Sequence, residues 1–332
     1  MRTIKNKYIF FLLRILKDII NPIQYKISNN LHSENLTEYY FLFDENQMEN
    51  QKGGQKSIVY DKEGIPLNPT YIDVRDKKYV YFPITIGQVG LAVFHTYLKT
   101  KSESDKNRFL KFVDWFYKNA EISDNLGVRW LTDVPLPQYK NPGPWQSAFA
   151  QGRGISILLR GYQLTDDKKY AEMAEKALIP FTKPVSEGGV TSFTNWGPFY
   201  EEYTAEVPTL VLNGMIFSLC GIYDFVRVFP ENKLAKKIYN DGIQTLKNIL
   251  PEYDLGYWSR YNLCKAVWYP EIDPATITYQ KLHITQLEML YRLTSENIFQ
   301  KYAEKFRKQN NFLNAIKMYK IKYHALKRLR RI

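Results

Sequence analysis

Apolar residues between positions 81 and 311 recur at three- and four-residue intervals, the spacing that places them on one face of a helix. The helical stretches come in pairs. In one pair, a stop-and-cap signal at Leu164-Thr165-Asp166 separates the two helices. The pattern predicts four helical hairpins: 84–98 with 106–119, 146–164 with 167–181, 209–228 with 233–249, and 276–293 with 296–311.

Long loops rich in glycine, proline and aromatic residues separate these hairpins, at 134–144, 185–198 and 254–274. Paired helices with long loops at one end predict a mainly α protein, an (α/α) toroid or barrel. Helical periodicity alone leaves an irregular helical bundle open as the alternative.

Residues 28–79 break this pattern. They are polar, contain Gly53-Gly54, Pro66 and Pro69, and include short apolar runs such as Ser57-Ile58-Val59-Tyr60. Short apolar runs between turn residues are typical of short strands and loops. We therefore expect a small irregular or β-containing N-terminal region at 28–79, before a helical domain at 80–312.

The two ends of the chain are basic and amphipathic. In residues 1–27, an apolar run that starts at Tyr8 is cut at Arg14, too early for a membrane span, and no small-x-small cleavage pattern follows. Residues 313–332 predict a basic helix or tail, either a solvated helix end or a contact with an anionic membrane or polymer. We expect a cytoplasmic or peripherally membrane-associated protein.

Charge and aromatic content narrow the range of partners. The formal net charge is +12, and aromatic residues make up 15% of the chain, with 26 tyrosines. A positive field concentrates nucleic acid, anionic lipid or acidic polysaccharide, and tyrosine rings suit sugars as well as protein interfaces. A solvated basic surface and a tyrosine-rich genome explain the same composition. Composition therefore does not identify the partner, and specific motifs are needed.

Several kinds of site are not supported. Gly152-Arg153-Gly154 follows a helical pattern instead of a strand and lacks a third glycine in register, so it is not a nucleotide cradle. The four histidines are scattered without metal-ligand spacing, and no metal is predicted. The two cysteines, Cys220 and Cys264, have no CxxC spacing, and free buried thiols are expected.

Three clusters remain as candidates for chemistry. The first, 145–156, opens a helix, and we expect Trp145, Gln146 and Arg153 to face a groove unless the cluster serves packing alone. The second, 196–203, places adjacent carboxylates among aromatic rings, where one would have a raised pKa and act as a general acid or base. Its candidates are Trp196, Tyr200, Glu201, Glu202 and Tyr203.

The third cluster joins 256–261 to 279–287, where hydroxyls, an imidazole and cationic groups could converge. Its candidates are Trp258, Arg260, Tyr261, Lys265, Tyr279 and His283.

In this order, the clusters resemble the C-terminal domain of the D-glucuronyl C5-epimerase family. Its W-x-S-A-x-x-Q-G, Y-E-E-Y, V-L-N-G, W-S-x-Y and Y-x-x-x-H-I-x-Q-L segments match 145–152, 200–203, 211–214, 258–261 and 279–287. An earlier Y-P-I-x-I-A-Q segment resembles 82–88, and the likeness spans about 80–293. It implies an (α/α) barrel that epimerises glucuronate in a polysaccharide without a cofactor.

The resemblance also implies roles for individual residues. The Y-E-E-Y match assigns the catalytic carboxylate to Glu202 beside Tyr203, and the later motifs add Tyr261 and Tyr279. We expect Glu202 and Tyr203 on one face of the sugar and Tyr279 on the other, with Tyr261 orienting it. Arg153, Arg260, Lys265 and His283 are the cations expected to hold the uronate.

This chain departs from the family pattern at two positions: Cys264 replaces a common arginine, and Thr204 replaces a proline. Its N-terminal region is also shorter than that of animal members. The expected partner is an acidic, glucuronate-containing polysaccharide, with no nucleic acid, and a peripheral contact with anionic membrane and a homodimer are left open. The alternative functions are a polysaccharide lyase, a glycoside hydrolase using Glu201 or Glu202 with Asp273, and a non-catalytic polysaccharide-binding protein.

Overall fold

The computed structural model describes residues 7–20, 24–50 and 58–332. The Gly53-Gly54 pair and the first residues of the N-terminal segment lie outside the described residues. Eleven α-helices occur in the described part: α1 (Lys7–Ile20), α2 (Glu45–Asn50), α3 (Pro83–Thr100), α4 (Glu103–Lys118), α5 (Ala148–Thr165), α6 (Lys168–Lys176), α7 (Leu212–Val228), α8 (Lys233–Ile249), α9 (Ile277–Thr294), α10 (Asn297–Gln309) and α11 (Phe312–Arg328).

The strands are short and form four small antiparallel sheets in the described residues. The sheets pair β1 (Lys26–Ile27) with β2 (Phe41–Leu42), β3 (Val59–Tyr60) with β4 (Pro66–Pro69) and β5 (Tyr79–Tyr81), β6 (Glu121–Ser123) with β7 (Gly127–Arg129), and β8 (Thr191–Thr194) with β9 (Gly197–Tyr200).

The fold is an (α/α) toroid in which α3, α5, α7 and α9 form the inner layer and α4, α6, α8 and α10 the outer layer. Helices α5 and α7 of the inner layer are buried along most of their length, whereas outer helices such as α8 and α10 bury one stripe. At the crossing of α5 and α7 the backbones touch: a Cβ on Gly221 would lie 2.2 Å from the Gly152 carbonyl oxygen. The four predicted hairpins and the mainly α fold class are thus confirmed.

The N-terminal aromatic segment packs into the core of this toroid. Tyr39, Tyr40, Phe41 and Phe43 are almost completely buried and belong to the same hydrophobic cluster as the inner helices. His95 of α3 anchors the segment, because its Nε2 accepts a hydrogen bond from the Tyr39 backbone N–H at 2.9 Å. The toroid core is therefore completed by residues outside the helical hairpins.

Two helix ends differ from the predicted ones. The helix predicted at 167–181 ends at Lys176, and a 3-10 turn follows at Ile179–Thr182, because Pro180 disfavours an α conformation in the residue before it. The helix predicted from 209 begins at Leu212. Its expected first turn is held outside the helix, because the N–H groups of Thr209 and Leu210 donate to a side-chain carboxylate.

The two terminal helices lie antiparallel to one another. Phe11 of α1 packs on Tyr319 and Tyr323 of α11, and Lys7 donates to the backbone oxygen of Arg330. Within the described residues, none of the helices is long and apolar enough to cross a membrane.

Candidate active site

The candidate site forms where the β8–β9 hairpin runs into the start of α7. Strand β9 ends at Tyr200, and the chain that follows carries Glu201, Glu202 and Tyr203 beneath the loop at 254–274. The Glu201 backbone is fixed at both ends: its N–H donates to Val190 and its carbonyl accepts from Ala148. The hairpin and α5 therefore hold the glutamate pair in place.

Glu202 is the carboxylate at the centre of the site. Its side chain is 4% exposed, and its Oε2 accepts a hydrogen bond from Asn213 Nδ2 at 3.1 Å. Burial raises its pKa to about 7, against the opposing effect of hydrogen bonds from Tyr203 and Asn213. Close to neutral pH, both the acid and the base form of Glu202 are therefore populated.

Four tyrosines gather around Glu202. Tyr203 lies within reach of Glu202, Tyr71 and Tyr261, while the Tyr261 and Tyr279 rings meet edge to face at 5.0 Å. All four tyrosine residues are partly exposed, whereas Glu202 is buried. The site is therefore a cluster of tyrosines, each with some surface exposure, around one titratable carboxylate.

The tyrosine hydroxyls are neutral in the resting site. Burial, followed by the charge of Glu202, raises the pKa of Tyr279 to about 12, and Arg14 opposes that rise. Burial and Glu202 raise the pKa values of Tyr71, Tyr203 and Tyr261 as well. A tyrosinate would thus form here only when a proton is passed to a neighbouring group or a cation is added.

The cations of the site come from the two terminal helices and the chain just beyond α11. Lys322 Nζ lies 5.4 Å from the centre of the Tyr261 ring, and Arg331 is near enough to Tyr71, Tyr203 and Tyr261 to influence their charge. Arg331 also pairs with Asp73 at 3.7 Å. Together with Arg14, these residues put positive charge at the edge of the hydroxyl cluster.

A buried polar network supports one side of this cluster. Lys322 Nζ donates to Asp273 Oδ1 at 2.5 Å, and Tyr269 Oη donates to Asp273 Oδ2 at 2.9 Å. Asn262 Nδ2 reaches the hydroxyls of Tyr269 at 2.6 Å and Tyr139 at 3.1 Å. Since both Asp273 oxygens are already engaged, the network positions Lys322 and the ring of Tyr139, which packs on Tyr203 at 5.6 Å.

Glu201 has a different environment from Glu202, although the two are adjacent in sequence. It is 1% exposed and accepts four hydrogen bonds: from Ser192 Oγ at 2.6 Å, from Thr209 N–H at 3.1 Å and Oγ1 at 2.6 Å, and from Leu210 N–H at 2.9 Å. Burial raises its pKa to about 7, while these donors favour its ionised form. With all its donors supplied by protein, Glu201 holds the chain before α7.

Trp145 and Gln146 lie beside Tyr203. The Trp145 ring packs on the Tyr203 ring at 5.3 Å, and its Nε1 donates to the Val134 carbonyl at 2.9 Å. Gln146 bonds through its backbone to Thr204, and its Oε1 is buried without a hydrogen-bond partner among the described residues. The first sequence cluster thus forms the wall behind Tyr203.

Four of the expected substrate-binding residues are buried in the core. Tyr200 donates to the Ile238 carbonyl at 2.5 Å, and Trp258 donates to the Ala275 carbonyl at 2.7 Å. His283 is completely buried, its Nδ1 lies 2.9 Å from Ser259 Oγ, and burial lowers its pKa to about 3, so its ring is neutral. The fourth is Arg153.

Arg153 is 1% exposed, and its guanidinium is surrounded by aromatic rings. The rings of Tyr39, Phe43, Phe149 and Phe217 each lie between 4.7 and 5.1 Å from it, and its nitrogens have no hydrogen-bond partner among the described residues. Cation–π attraction from four faces stabilises the charge there. This location separates Arg153 from the Glu202 cluster.

The remaining three expected substrate-binding residues lie closer to the surface. Lys265 is exposed, and its Nζ lies 5.9 Å from the ring of the partly exposed Trp196. Arg260 is partly exposed and donates to the Glu271 carbonyl at 2.9 Å. Cys264, which stands where the family commonly has an arginine, is buried and its thiol is free. Cys220 is likewise a buried free cysteine.

Several residues of the site were not anticipated from the sequence. Asn213 belongs to the V-L-N-G motif and could have been found there, since its side chain is the donor to Glu202. Tyr71 stands in a polar region without periodicity, and Lys322 and Arg331 stand in a tail typical of solvated charge. Nothing local distinguishes these three from other surface tyrosines and cations.

A second concave region lies away from this site. An open depression of about 560 Å³ lies between the ends of α5 and α7, lined by Tyr162, Phe225 and Phe229 among others. It is roughly 18 Å along α7 from Asn213. No group of three or more histidine, cysteine, aspartate or glutamate side chains in the described residues is arranged to hold a metal ion.

Comparison with known proteins identifies the family. The chain is 28% identical over 234 residues to a D-glucuronyl C5-epimerase of Caenorhabditis elegans, covering 67% of this chain and 38% of the nematode protein, so it spans well under half of that relative. An uncharacterized protein of Methanocaldococcus jannaschii is 27% identical over 300 residues, covering 84% of this chain and 91% of its own length.

A solved structure of similar fold is the cellobiose 2-epimerase of Spirochaeta thermophila, with a TM-score of 0.51, 11% sequence identity, and coverage of 72% of this chain and 63% of that one. At that identity the likeness concerns the fold, and it agrees with the (α/α) toroid. The profile described as "D-glucuronyl C5-epimerase C-terminus" matches residues 124–308, more than half of the chain. The chain therefore belongs to the D-glucuronyl C5-epimerase C-terminal family.

Proposed function

We propose that this protein is a uronyl C5-epimerase that inverts the carboxylate-bearing carbon of a glucuronate residue within an acidic polysaccharide. The observation that carries the proposal is a buried carboxylate with a pKa of about 7, Glu202, within a cluster of four partly exposed tyrosines. Membership of the epimerase family supports the same reaction class.

The reaction places three demands on a site. The C5 proton lies next to a carboxylate and is very weakly acidic, so its removal needs a base on one face of the sugar and an acid on the other. The enediolate-like intermediate carries additional negative charge on the carboxylate oxygens. Cations and strong hydrogen-bond donors aimed at those oxygens must therefore stabilise it.

Glu202 and Tyr203 together meet the demand for a base. As Tyr203 Oη takes the C5 proton, the phenolic proton passes to the neighbouring ionised Glu202. The C–H electron pair remains on the substrate as an enediolate, and Glu202 becomes neutral. A phenol with a high pKa can serve as a base in this way, because a free tyrosinate never has to accumulate.

Tyr279 is assigned to the opposite face of the sugar. It donates its phenolic proton to C5, which restores the carboxylate with inverted configuration and leaves a tyrosinate. Tyr261 packs on Tyr279 and lies within reach of Tyr203, so it lies between the two proton carriers. Proton exchange with solvent through this partly exposed cluster returns Glu202 and Tyr279 to their starting forms.

The terminal cations are the proposed partners of the uronate carboxylate. Cys264 occupies the position of a common family arginine, while His283 is neutral and Arg153 is enclosed in the core. Arg331 and Lys322 instead bring charge to Tyr203 and Tyr261 from positions beyond residues 124–308. In this chain the C-terminal segment would thus do what a barrel-loop arginine does in other members.

Proton NMR of a glucuronate polymer in deuterated water tests the proposal. Heparosan-type and related acidic polymers are incubated with the protein, and loss of the C5 proton signal is followed together with the appearance of iduronate signals. Glu202→Gln should lower exchange by at least about 100-fold, and Tyr279→Phe should abolish iduronate formation, because the acid on the opposite face is lost. Tyr239→Phe is the matched control, since that buried hydroxyl has no hydrogen-bond partner among the described residues and lies on α8.

The alternatives give different products. A lyase expels the C4 substituent after the same proton abstraction, so an unsaturated product absorbing in the ultraviolet would replace the proposal. A hydrolase would release new reducing ends, but Glu201 and Asp273 are already saturated with protein donors. Binding without exchange on every polymer, unchanged by Tyr279→Phe, would leave only a carbohydrate-binding role.

A further inference from the structure

Helix α1 presents its apolar side to solvent, the reverse of what a surface helix of a globular protein does. The side of α1 that faces the protein carries Phe11, which packs on α11, and Asp18, which is 5% exposed and accepts hydrogen bonds from Thr278 at 2.8 Å and Tyr319 at 3.0 Å. The opposite stripe consists of leucine and isoleucine side chains that are 50% to 77% exposed: Leu12, Leu13, Leu16, Ile19 and Ile20. This stripe, the α1 outer face, is defined by those five residues.

The neighbouring helix extends the same kind of surface. α11 begins with Phe312, Leu313 and Ile316, which are 75%, 76% and 54% exposed. Because the two helices are antiparallel, with Asp18 bonded to Tyr319, the end of α1 that carries Ile19 and Ile20 lies beside the start of α11. Eight large apolar side chains are thus exposed on two adjacent helices, more than isolated surface leucines account for.

Charge indicates which partner fits. Asp18 is the one acidic residue in the two helices, and it is buried in their contact with α9. Apart from Lys322, which is buried in its pair with Asp273, the two helices carry seven basic residues: Lys7, Arg14, Lys17, Lys317, Lys320, Lys327 and Arg328. Apolar side chains flanked by basic ones, without acidic neighbours, match the interface of an anionic bilayer, where the apolar groups enter the acyl boundary and the cations meet the headgroups.

A second copy of the chain fits this surface less well. A twofold contact through the α1 outer face would bring the basic helices of both copies together, and like charges at such a contact repel one another. An anionic bilayer neutralises the same charges. We propose that α1 and the start of α11 form a docking surface for anionic membrane. The two helices would lie in the headgroup interface without crossing the bilayer.

Docking there would set the distance between the membrane and the active site. Asp18 bonds to Thr278, the residue before Tyr279, and Arg14 acts on the charge of Tyr279 from the same helix. The thickness of one helix, about 10 Å, therefore separates the docked surface from the hydroxyl cluster. A polysaccharide held at a membrane would meet the site near its attachment point.

Vesicle flotation of the full chain tests this inference. The protein should float with phosphatidylcholine vesicles that contain phosphatidylglycerol, and at least about tenfold less with phosphatidylcholine alone, since each cation near an anionic surface strengthens binding about fivefold. Leu12→Glu/Leu16→Glu should lose flotation. The matched control is Phe193→Glu/Leu234→Glu, which alters exposed apolar residues away from the two helices.

A second variant separates charge from fold. Lys320→Glu/Lys327→Glu leaves the apolar face intact and should weaken flotation with the anionic vesicles by about tenfold or more. Deuterium exchange on a soluble polymer and circular dichroism, both expected to be unchanged, show that each variant is folded. Equal flotation of Leu12→Glu/Leu16→Glu and the wild type would refute the proposal, as would a wild-type dimer that does not float and becomes monomeric in that variant.

Discussion

Glu201 and Glu202 are adjacent in the chain, but their side chains have opposite surroundings. Four protein donors satisfy the carboxylate of Glu201, whereas Glu202 faces the tyrosine hydroxyls with Asn213 and Tyr203 as its donors. A fully satisfied carboxylate holds structure, and a partly satisfied one with a pKa near neutrality exchanges protons. The two residues therefore divide support and chemistry between them.

The first prediction concerns the pH dependence of proton exchange. Glu202 must be ionised to accept the proton relayed by Tyr203, and its pKa is about 7. The rate of C5 deuterium exchange should rise with pH and level off above about 7. In Glu202→Gln the remaining rate should be lower by about 100-fold to 10,000-fold and should lose this rise. A wild-type rate that does not change between pH 5 and pH 8 would contradict the relay, because the ionised fraction of Glu202 changes most within about two pH units of its pKa.

The second prediction concerns stability. The folded-state pKa of Glu202 lies above its ordinary value of 4.5, so the fold binds this proton more tightly than the unfolded chain. This contribution to stability is complete below about pH 4.5 and is lost as the pH rises to about 7. Over that window the free energy of unfolding falls by up to about 3 kcal/mol. Glu202→Gln cannot ionise, so its free energy of unfolding in urea should fall less than that of the wild type across this window.

The third prediction concerns Arg153, an expected substrate ligand that the structure encloses in four aromatic rings. Replacing a buried charge by an apolar side chain of similar volume is often neutral or stabilising. Arg153→Met should therefore keep the free energy of unfolding within about 1 kcal/mol or raise it, and should retain proton exchange. Normal stability with lost exchange would instead place Arg153 in contact with substrate.

At the scale of elements, helix α7 joins the site to the core. Its first turn carries Asn213, the donor to Glu202, and Gly214, on which a Cβ would lie 2.3 Å from Glu202 Cβ. Two turns further, Gly221 meets the backbone of Gly152 in α5. Helix α7 thus uses one glycine to make room for the Glu202 side chain and another to make room for a neighbouring helix.

The fourth prediction uses these two glycines as a matched pair. Gly221→Ala forces two backbones apart and should destabilise the fold by about 2 kcal/mol or more, because the Gly152 carbonyl cannot move as a side chain can. Gly214→Ala places its Cβ 2.3 Å from Glu202 Cβ, an atom that moves only with its own backbone, so the Glu202 segment must shift and exchange should fall at least tenfold even where the variant is folded. Folded Gly221→Ala should retain exchange. Thermal unfolding and NMR exchange on both variants measure the difference, and normal exchange in folded Gly214→Ala would contradict this assignment.

At the scale of the whole molecule, the chain ends return to the site. α1 supplies Arg14, and α11 and the residues after it supply Lys322 and Arg331, so both ends of the described chain add charge beside the hydroxyl cluster. With a formal net charge of +12, the molecule as a whole attracts polyanions, and these residues would localise that attraction at Tyr261.

The fifth prediction tests this localisation. Arg331→Gln should lower kcat/KM on a glucuronate polymer by about tenfold to a hundredfold, the effect expected for a lost hydrogen bond to a charged group, and most of it should appear in KM. Arg330→Gln removes the same charge from the exposed neighbouring residue and is the control. Equal kinetics for the two variants would show that only net charge matters.

Local patterns explain why much of this architecture could be predicted. Helical periodicity located eight toroid helices to within a few residues, because burial of one face repeats along each helix. The motifs also pointed to Glu202, Tyr203, Tyr261 and Tyr279, which the structure brings together, although their roles remain to be tested. The helix predicted from 209 begins at Leu212, because the N–H groups of Thr209 and Leu210 donate to Glu201. This is a tertiary contact, which the periodicity of the sequence does not predict.

The sequence by itself determined the helical pairs, the family, and the carboxylate and three of the four tyrosines of the site, since these depend on spacing along the chain. Only the tertiary structure decided which cations face them: Arg153 and His283 are enclosed in the core, while Arg331 and Lys322 reach the site from the far end of the chain. The physical reason is that the environment of a charge depends on burial and on long-range neighbours, which spacing along the chain does not record.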